Sequence, residues 1–115
     1  VVSKIILRSR IRMNKLRYEY LLPLGSIVQL DKSEQKVMIC GVLQKGISTG
    51  DKVFDYVAVP YPQGLYDPRF KIGFDQADIE TVVSRGYEDE DWKAFIVFLE
   101  VAARTQEAKK QGDSE

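Results

Sequence analysis

The stretch KVMICGVLQKGISTGDKVFDYVAVP, residues 36–60, decides the fold. Its first part, residues 36–43, is apolar at almost every position, which is typical of a strand buried on both faces. Cys40 is therefore expected to be a small buried residue of the core, and Gly41 indicates a bulge or a close backbone contact. The second part, residues 53–60, is also predicted to form a strand. Because the loop between the two strands is short and contains two glycines, we expect an antiparallel meander.

The segments on either side of this pair are also predicted to form strands. They are LGSIVQL (24–30), RFKIGF (69–74) and ETVVSRG (80–86), the last as a short strand or an extended segment. In the second of them, the alternation of apolar and polar residues predicts that Phe70, Ile72 and Phe74 point inward. Asp75 is expected to cap one helical turn at residues 76–79.

The segment YEDEDWKAFIVFLEVAARTQEAKK, residues 87–110, has clear helical periodicity. The acidic residues 88–91 are interpreted as a helix start, where the helix dipole favours negative charge. One face carries apolar residues at 3- and 4-residue spacing, namely Trp92, Phe95, Ile96, Leu99 and Ala103. Phe98 and Val101 widen that face. The sequence therefore predicts an α+β fold: a strongly bent antiparallel sheet or half-open small barrel of four to five strands, with one C-terminal helix packed on it.

The composition limits the chemistry of the chain. It has 115 residues, no histidine and one cysteine, which excludes Cys/His zinc sites and Ser–His or Cys–His nucleophile pairs. No phosphate-binding loop pattern is found. We therefore expect no catalytic, cofactor-binding or metal-binding residues, and a protein that is not an enzyme. A single cysteine favours a cytoplasmic setting, and no apolar run approaches the roughly 20 residues of a membrane helix, so no membrane partner is expected.

Charge is unevenly distributed along a chain whose net charge is zero. Residues 1–18 contain six basic residues and no acid, so the rest of the chain is acidic. This basic arm is interpreted as a nucleic-acid contact, as an organelle presequence or, for residues 1–12, as a segment upstream of a start at Met13. An acidic body would repel phosphates, which argues against a nucleic-acid partner. The predicted organisation is this arm, one globular domain over 19–108 and a frayed tail over 109–115.

The segment YPQGLYDPRF, residues 61–70, contains two prolines, a glycine and three aromatic rings. Proline cannot donate to a strand ladder, and Gly and Asp-Pro favour turns, which predicts a structural corner. The same rings also suit a surface that holds a peptide or helix. The candidate partner-binding residues are Tyr61, Leu65, Tyr66, Phe98 and Val101. The last two either contact a partner or rest on the N-terminal segment of the same chain.

Four segments together resemble a known family. LLPLGSIVQL, KVMICGVLQ, DYVAVPYPQGLYDP and FDQADIETVVSRGYEDED follow in this order over about residues 20–98. They are similar to a Firmicutes family of domains of unknown function with PLGSIV, YP-x-GL-x-DP and DIE-x-V-x-x-GY motifs, encoded near type VII secretion loci and LXG-type toxin genes. The resemblance brings no established catalytic residues. It implies a cytoplasmic, non-enzymatic adaptor or chaperone whose partner is an LXG-type toxin or a WXG-like helical protein.

Two alternatives from other classes stay open. In the first alternative, the chain is an immunity or regulatory protein that binds the toxin. In the second, it is a small-barrel module that binds nucleic acid. Homo-oligomerisation is also left open by the sequence.

Overall fold

The computed structural model describes residues 16–46 and 50–113. The chain divides into two compact units, one formed by Leu21–Tyr87 and the other by Val1–Tyr20 together with Glu88–Glu115. The first unit contains five strands: β1 (Ile27–Leu30), β2 (Lys36–Lys45), β3 (Val53–Tyr61), β4 (Ile72–Phe74) and β5 (Ile79–Ser84). It also contains two 3₁₀ turns, Pro68–Phe70 and Gln76–Asp78. The second unit contains the helix α1 (Glu90–Asp113).

The five strands form one antiparallel sheet in the order β4-β3-β2-β1-β5. Strands β1 to β4 follow one another as a meander, as the sequence predicts, and β5 returns to pair with β1. In the described part of the chain β4 and β5 are the two edges, so the sheet does not close into a barrel. The predicted α+β fold, with five antiparallel strands and one C-terminal helix, is confirmed.

Strand β2 contains a bulge that shifts its side-chain pattern by one residue. Its register with β3 shifts between Ile39 and Gly41, where the glycine predicts a bulge. The side chains of Val37, Ile39 and Val42 are buried, whereas Cys40 is exposed. The prediction that this strand is buried on both faces, with Cys40 in the core, is therefore wrong. Because Val37 and Ile39 point to the buried face, the normal alternation of a strand places Cys40 on the other face. The bulge after Ile39 then returns Val42 to the buried face.

The segment that precedes β4 also differs from its predicted structure. Phe70 lies in the 3₁₀ turn Pro68–Phe70 and is exposed, so the prediction that it points inward from a strand is wrong. The turn forms because Asp67 caps it: its carboxylate accepts a hydrogen bond from the amide of Arg69 at 3.0 Å. The strand begins only at Ile72, and Phe74 is buried as predicted.

Tyr56 on β3 is the most deeply buried aromatic residue of the sheet. Its side chain is 0% exposed, and its ring centroid lies 5.4 Å from that of Phe74. The hydroxyl accepts a hydrogen bond from the amide of Leu22 at 3.0 Å and donates one to the side-chain oxygen of Gln76. Burial raises the pKa of the Tyr56 phenol above its ordinary value. One side chain thus joins three segments that are distant in sequence.

Gly86, two residues after β5, contacts the backbone that leads into β1. The hydroxyl of the buried Ser26 donates to the carbonyl oxygen of Pro23 at 2.7 Å and accepts a hydrogen bond from the amide of Gly86 at 2.9 Å. A Cβ atom at Gly86 would overlap the carbonyl oxygen of Leu24 and lie 2.9 Å from the amide nitrogen of Ser26. This close approach requires glycine.

The helix α1 begins within the acidic segment 88–91, as predicted. The carboxylate of Asp89 accepts a hydrogen bond from the amide of Trp92 at 3.0 Å. Glu90 and Asp91 lie in the first turn, where the helix dipole favours negative charge. The helix continues to Asp113, beyond its predicted end at residue 110.

Glu100 is a buried carboxylate that joins α1 to the described segment before the sheet. It accepts a hydrogen bond from the backbone amide of Arg17 at 2.8 Å, and its other oxygen lies 2.9 Å from the Nε of the same residue. Arg104, one turn along the helix, is 3.3 Å away. The hydrogen bond from the Arg17 amide, together with the two guanidinium groups, lowers the pKa of Glu100.

We expect this arrangement to lose stability in acid. Because the pKa of Glu100 is lower in the folded protein than in the unfolded chain, its stabilising contribution is present above the ordinary glutamate pKa of about 4.3. It is lost as the pH falls through the lower folded value. Urea unfolding at neutral pH and at about pH 3 measures this loss. In Glu100→Gln the drop in the free energy of unfolding should be smaller than in the wild type, and an equal drop would contradict the prediction.

Candidate functional site

Hydrogen bonds order the 61–70 corner. Gly64 adopts a φ of +75°, and its amide donates to the carbonyl oxygen of Pro60 at 2.7 Å. The carboxylate of Asp67 pairs with the guanidinium of Arg69 at 2.6 Å, in addition to capping the turn. The hydrogen bonds from Arg69 lower the pKa of the Asp67 carboxyl. The sequence correctly predicts a turn-rich corner here.

The corner also presents apolar and aromatic side chains to solvent. Tyr61, Leu65 and Tyr66 are 38%, 56% and 63% exposed. The ring of Tyr66 stacks on that of Phe70, with centroids 5.2 Å apart, and the guanidinium of Arg69 lies 5.9 Å from the Phe70 ring. The two interpretations drawn from the sequence, a structural corner and a partner surface, are therefore compatible. Phe70 is missing from the predicted site because the sequence pattern placed it in a strand.

An open groove of about 810 Å³ lies beside the corner, and Cys40 is among its lining residues. Its floor forms where Gly41 on β2, Val57 on β3 and Gly73 on β4 are neighbours across the sheet. Gly41 has no side chain, which leaves a depression beside Val57. The ring of Phe54 lies over Gly73, since a Cβ atom there would come within 2.7 Å of it. Gly41 and Gly73 are the sequence features that could have indicated this groove. The sequence does not show that they are neighbours, because that depends on the strand register.

The rim of the groove is cationic. Lys45, Arg69 and Lys71 line it, and none of the described residues that line it is acidic. The charge of Arg69 is offset by Asp67, and Lys45 lies 4.0 Å from the carboxylate of Asp51. Lys71 forms no ion pair within the described residues. The groove therefore suits carboxylate or phosphate groups at its edge and an apolar group at its floor.

Helix α1 has a second apolar face on its exposed side. Ile96 and Glu100 are buried on one side of the helix. The other side exposes four apolar residues at i, i+3, i+4 and i+7, called here the apolar stripe: Ala94, Val97, Phe98 and Val101. Phe98 and Val101 are 62% and 56% exposed, so they do not extend the buried face. The sequence singled out these two residues and missed the other two members of the stripe.

Phe95 lies between the two faces of α1. It is 38% exposed, its ring is 5.7 Å from that of Trp92, and it stacks on Phe98 at 6.3 Å. Phe95 was predicted to belong to the buried face of the helix. That prediction is only partly right, because 38% of the residue is exposed. The N-terminal segment, which was the alternative cover for Phe98 and Val101, lies outside the described residues apart from 16–20.

The structure adds two observations about other classes of site. Among the side chains that it describes, no group of three or more His, Cys, Asp or Glu residues could hold a metal ion. No helix in residues 16–46 and 50–113 is long and apolar enough to cross a membrane.

A comparison with family models places the chain among known sequences. The model described as "Domain of unknown function (DUF4176)" matches residues 21–95, well over half of the chain. The chain belongs to the DUF4176 family. The resemblance predicted from the sequence is confirmed to this extent, over nearly the same residues. No curated protein and no solved structure matches the chain. The DUF4176 segment contains the 61–70 corner and the groove, whereas Phe98 and Val101 lie beyond it.

Proposed function

We propose that this DUF4176 protein is a non-enzymatic adaptor or chaperone that binds a helical region of another protein. The observation that carries the proposal is the exposed, hydrogen-bonded aromatic surface of the 61–70 corner, inside the family-matched segment. Tyrosine and phenylalanine are enriched in the cores of protein interfaces. Side chains presented by a loop that is already ordered lose little conformational freedom on binding, which favours affinity.

The neighbouring groove supports a more specific partner. Arg69 belongs to both surfaces, because it lines the groove and lies against Phe70 in the corner. An amphipathic helix would place its apolar residues on Leu65, Tyr66 and Phe70, and its acidic residues near the cationic rim. The bound helix is therefore proposed to carry carboxylates on one flank of its apolar face.

The family resemblance supports the identity of this partner. We infer a cytoplasmic protein of Firmicutes origin whose partner is the N-terminal helical region of an LXG-type toxin, or a WXG-like helical protein, exported by type VII secretion. The absence of histidine from the whole chain removes the commonest general base and supports a role in binding. An immunity role would direct the same surface to the toxic C-terminal domain.

Co-purification and titration test the proposal. The purified chain is mixed separately with the helical N-terminal region and with the C-terminal domain of the toxin encoded beside its gene. We expect binding to the helical region. In Tyr66→Ala, loss of a central aromatic contact should weaken binding by about tenfold or more. The melting temperature should change little, because the side chain is 63% exposed.

Tyr87→Ala is the matched control. Tyr87 is the most exposed of the large apolar residues that the structure describes, at 81%, and lies outside the corner, so this variant should bind like the wild type. Equal affinity of wild type and Tyr66→Ala would overturn the assignment of the corner. Binding to the toxic C-terminal domain would favour the immunity alternative, and salt-sensitive binding to DNA would favour the nucleic-acid alternative.

A further inference from the structure

The face of α1 that carries the apolar stripe also has an exposed acidic residue near its start and an exposed basic residue near its end. Asp91 and Lys109 are exposed residues separated by 18 positions, which is five full turns of an α-helix. They therefore lie on the same line along the helix surface. Phe98 is on that line too, because it follows Asp91 by seven residues and precedes Lys109 by eleven, close to two and three turns. The exposed face thus has an acid at one end, an aromatic ring near the middle and a base at the other end.

We propose that the apolar stripe is a contact between two copies of this chain, whose α1 helices run antiparallel. In that arrangement Asp91 of each copy lies beside Lys109 of the other, so two opposite-charge pairs form by symmetry. The midpoint between these two residues is position 100, which falls between Phe98 and Val101. In this register Phe98 of each copy lies beside Val101 of the other, while Ala94 faces position 106, outside the stripe. Parallel helices in register would instead place like charges side by side.

The two kinds of contact have different roles. Exposed ion pairs contribute little affinity, and they select the direction and register of the helices. Burial of Phe98, Val97 and Val101 supplies most of the attraction. The stripe is much smaller than the roughly 20–30 residues per side of a standard interface. We therefore expect a weak dimer whose population rises with protein concentration. This inference does not depend on the proposed function, because it uses a different surface.

Sedimentation equilibrium of the full chain tests the dimer, over concentrations from low micromolar to near millimolar. A reductant is included because Cys40 is exposed and would otherwise form disulfide-linked dimers. The average mass of the wild type should rise from 13.1 kDa toward twice that value. Phe98→Glu should remain a monomer over the same range, with an unchanged circular dichroism spectrum because the side chain is 62% exposed.

A charge exchange tests the antiparallel direction. Asp91→Lys and Lys109→Glu should each weaken the dimer by several-fold, and the double variant should recover the wild-type dissociation constant. Glu80→Lys on β5, which makes the same change of charge at another exposed position, should leave it unchanged. The proposal is overturned if the wild type stays a monomer throughout, if Phe98→Glu still dimerises, or if the double variant is no tighter than the single ones.

Discussion

Gly86→Ala is expected to lose more than about 3 kcal/mol of unfolding free energy and to accumulate poorly as soluble protein. The added methyl group would overlap the carbonyl oxygen of Leu24 and approach the amide of Ser26. Both are backbone atoms, so no side-chain rotation can relieve the overlap. The backbone before β1 would have to move, and the hydrogen bonds of the buried Ser26 would break. Urea unfolding followed by tryptophan fluorescence or circular dichroism measures the loss.

Gly41→Ala is the matched control for this variant. A Cβ atom at Gly41 would have its nearest neighbours at 3.7 and 3.9 Å, which are ordinary contact distances. We expect the free energy of unfolding of this variant to stay within about 1 kcal/mol of the wild type. If Gly86→Ala proves equally mild, the close contact between the end of β5 and the start of β1 is not a structural requirement.

Tyr56→Ala should have the second large effect, a loss of about 3–5 kcal/mol, because it removes a fully buried aromatic ring from the sheet. Tyr56→Phe separates the contribution of the hydroxyl from that of the ring. It keeps the ring but leaves the buried amide of Leu22 without its acceptor, which should cost about 1–3 kcal/mol. The same urea unfolding measurement applies to both variants.

Two outcomes would contradict the predictions for Tyr56. A phenylalanine variant as stable as the wild type would mean that water or another group satisfies the Leu22 amide. An alanine variant that loses no more than the phenylalanine variant would mean that the ring does not pack as described against Phe74.

Local patterns predicted the strands, the meander and the helix, because each depends on the residues of one segment. Cys40 shows where this reasoning stops: a continuous apolar run predicts burial on both faces of β2, but the face that carries Cys40 is exposed, and this depends on what the rest of the chain covers. Phe70 shows a competing local signal, since the Asp67 cap and Pro68 favour a 3₁₀ turn over the strand that alternation predicts. The contacts of Tyr56 with Leu22 and Gln76 span 34 and 20 positions and have no local signature.

The candidate surfaces were predictable to different degrees. The corner was recognisable because proline, glycine and Asp-Pro determine backbone geometry locally. The groove was not, because Gly41, Val57 and Gly73 become neighbours only through strand register. In the helix, the sequence pattern showed that Phe98 and Val101 make the apolar face wider than one buried stripe requires. Their exposure depends on which face of the helix is buried. The sequence suggested a broader buried face than the one observed.

The exposed face of β2 has a practical consequence for work on this protein. The chain has one cysteine, and its side chain lies on that face, among the residues that line the groove. A thiol-reactive fluorophore can therefore be attached at a single defined position without any engineered mutation. Its emission would report directly on what approaches β2.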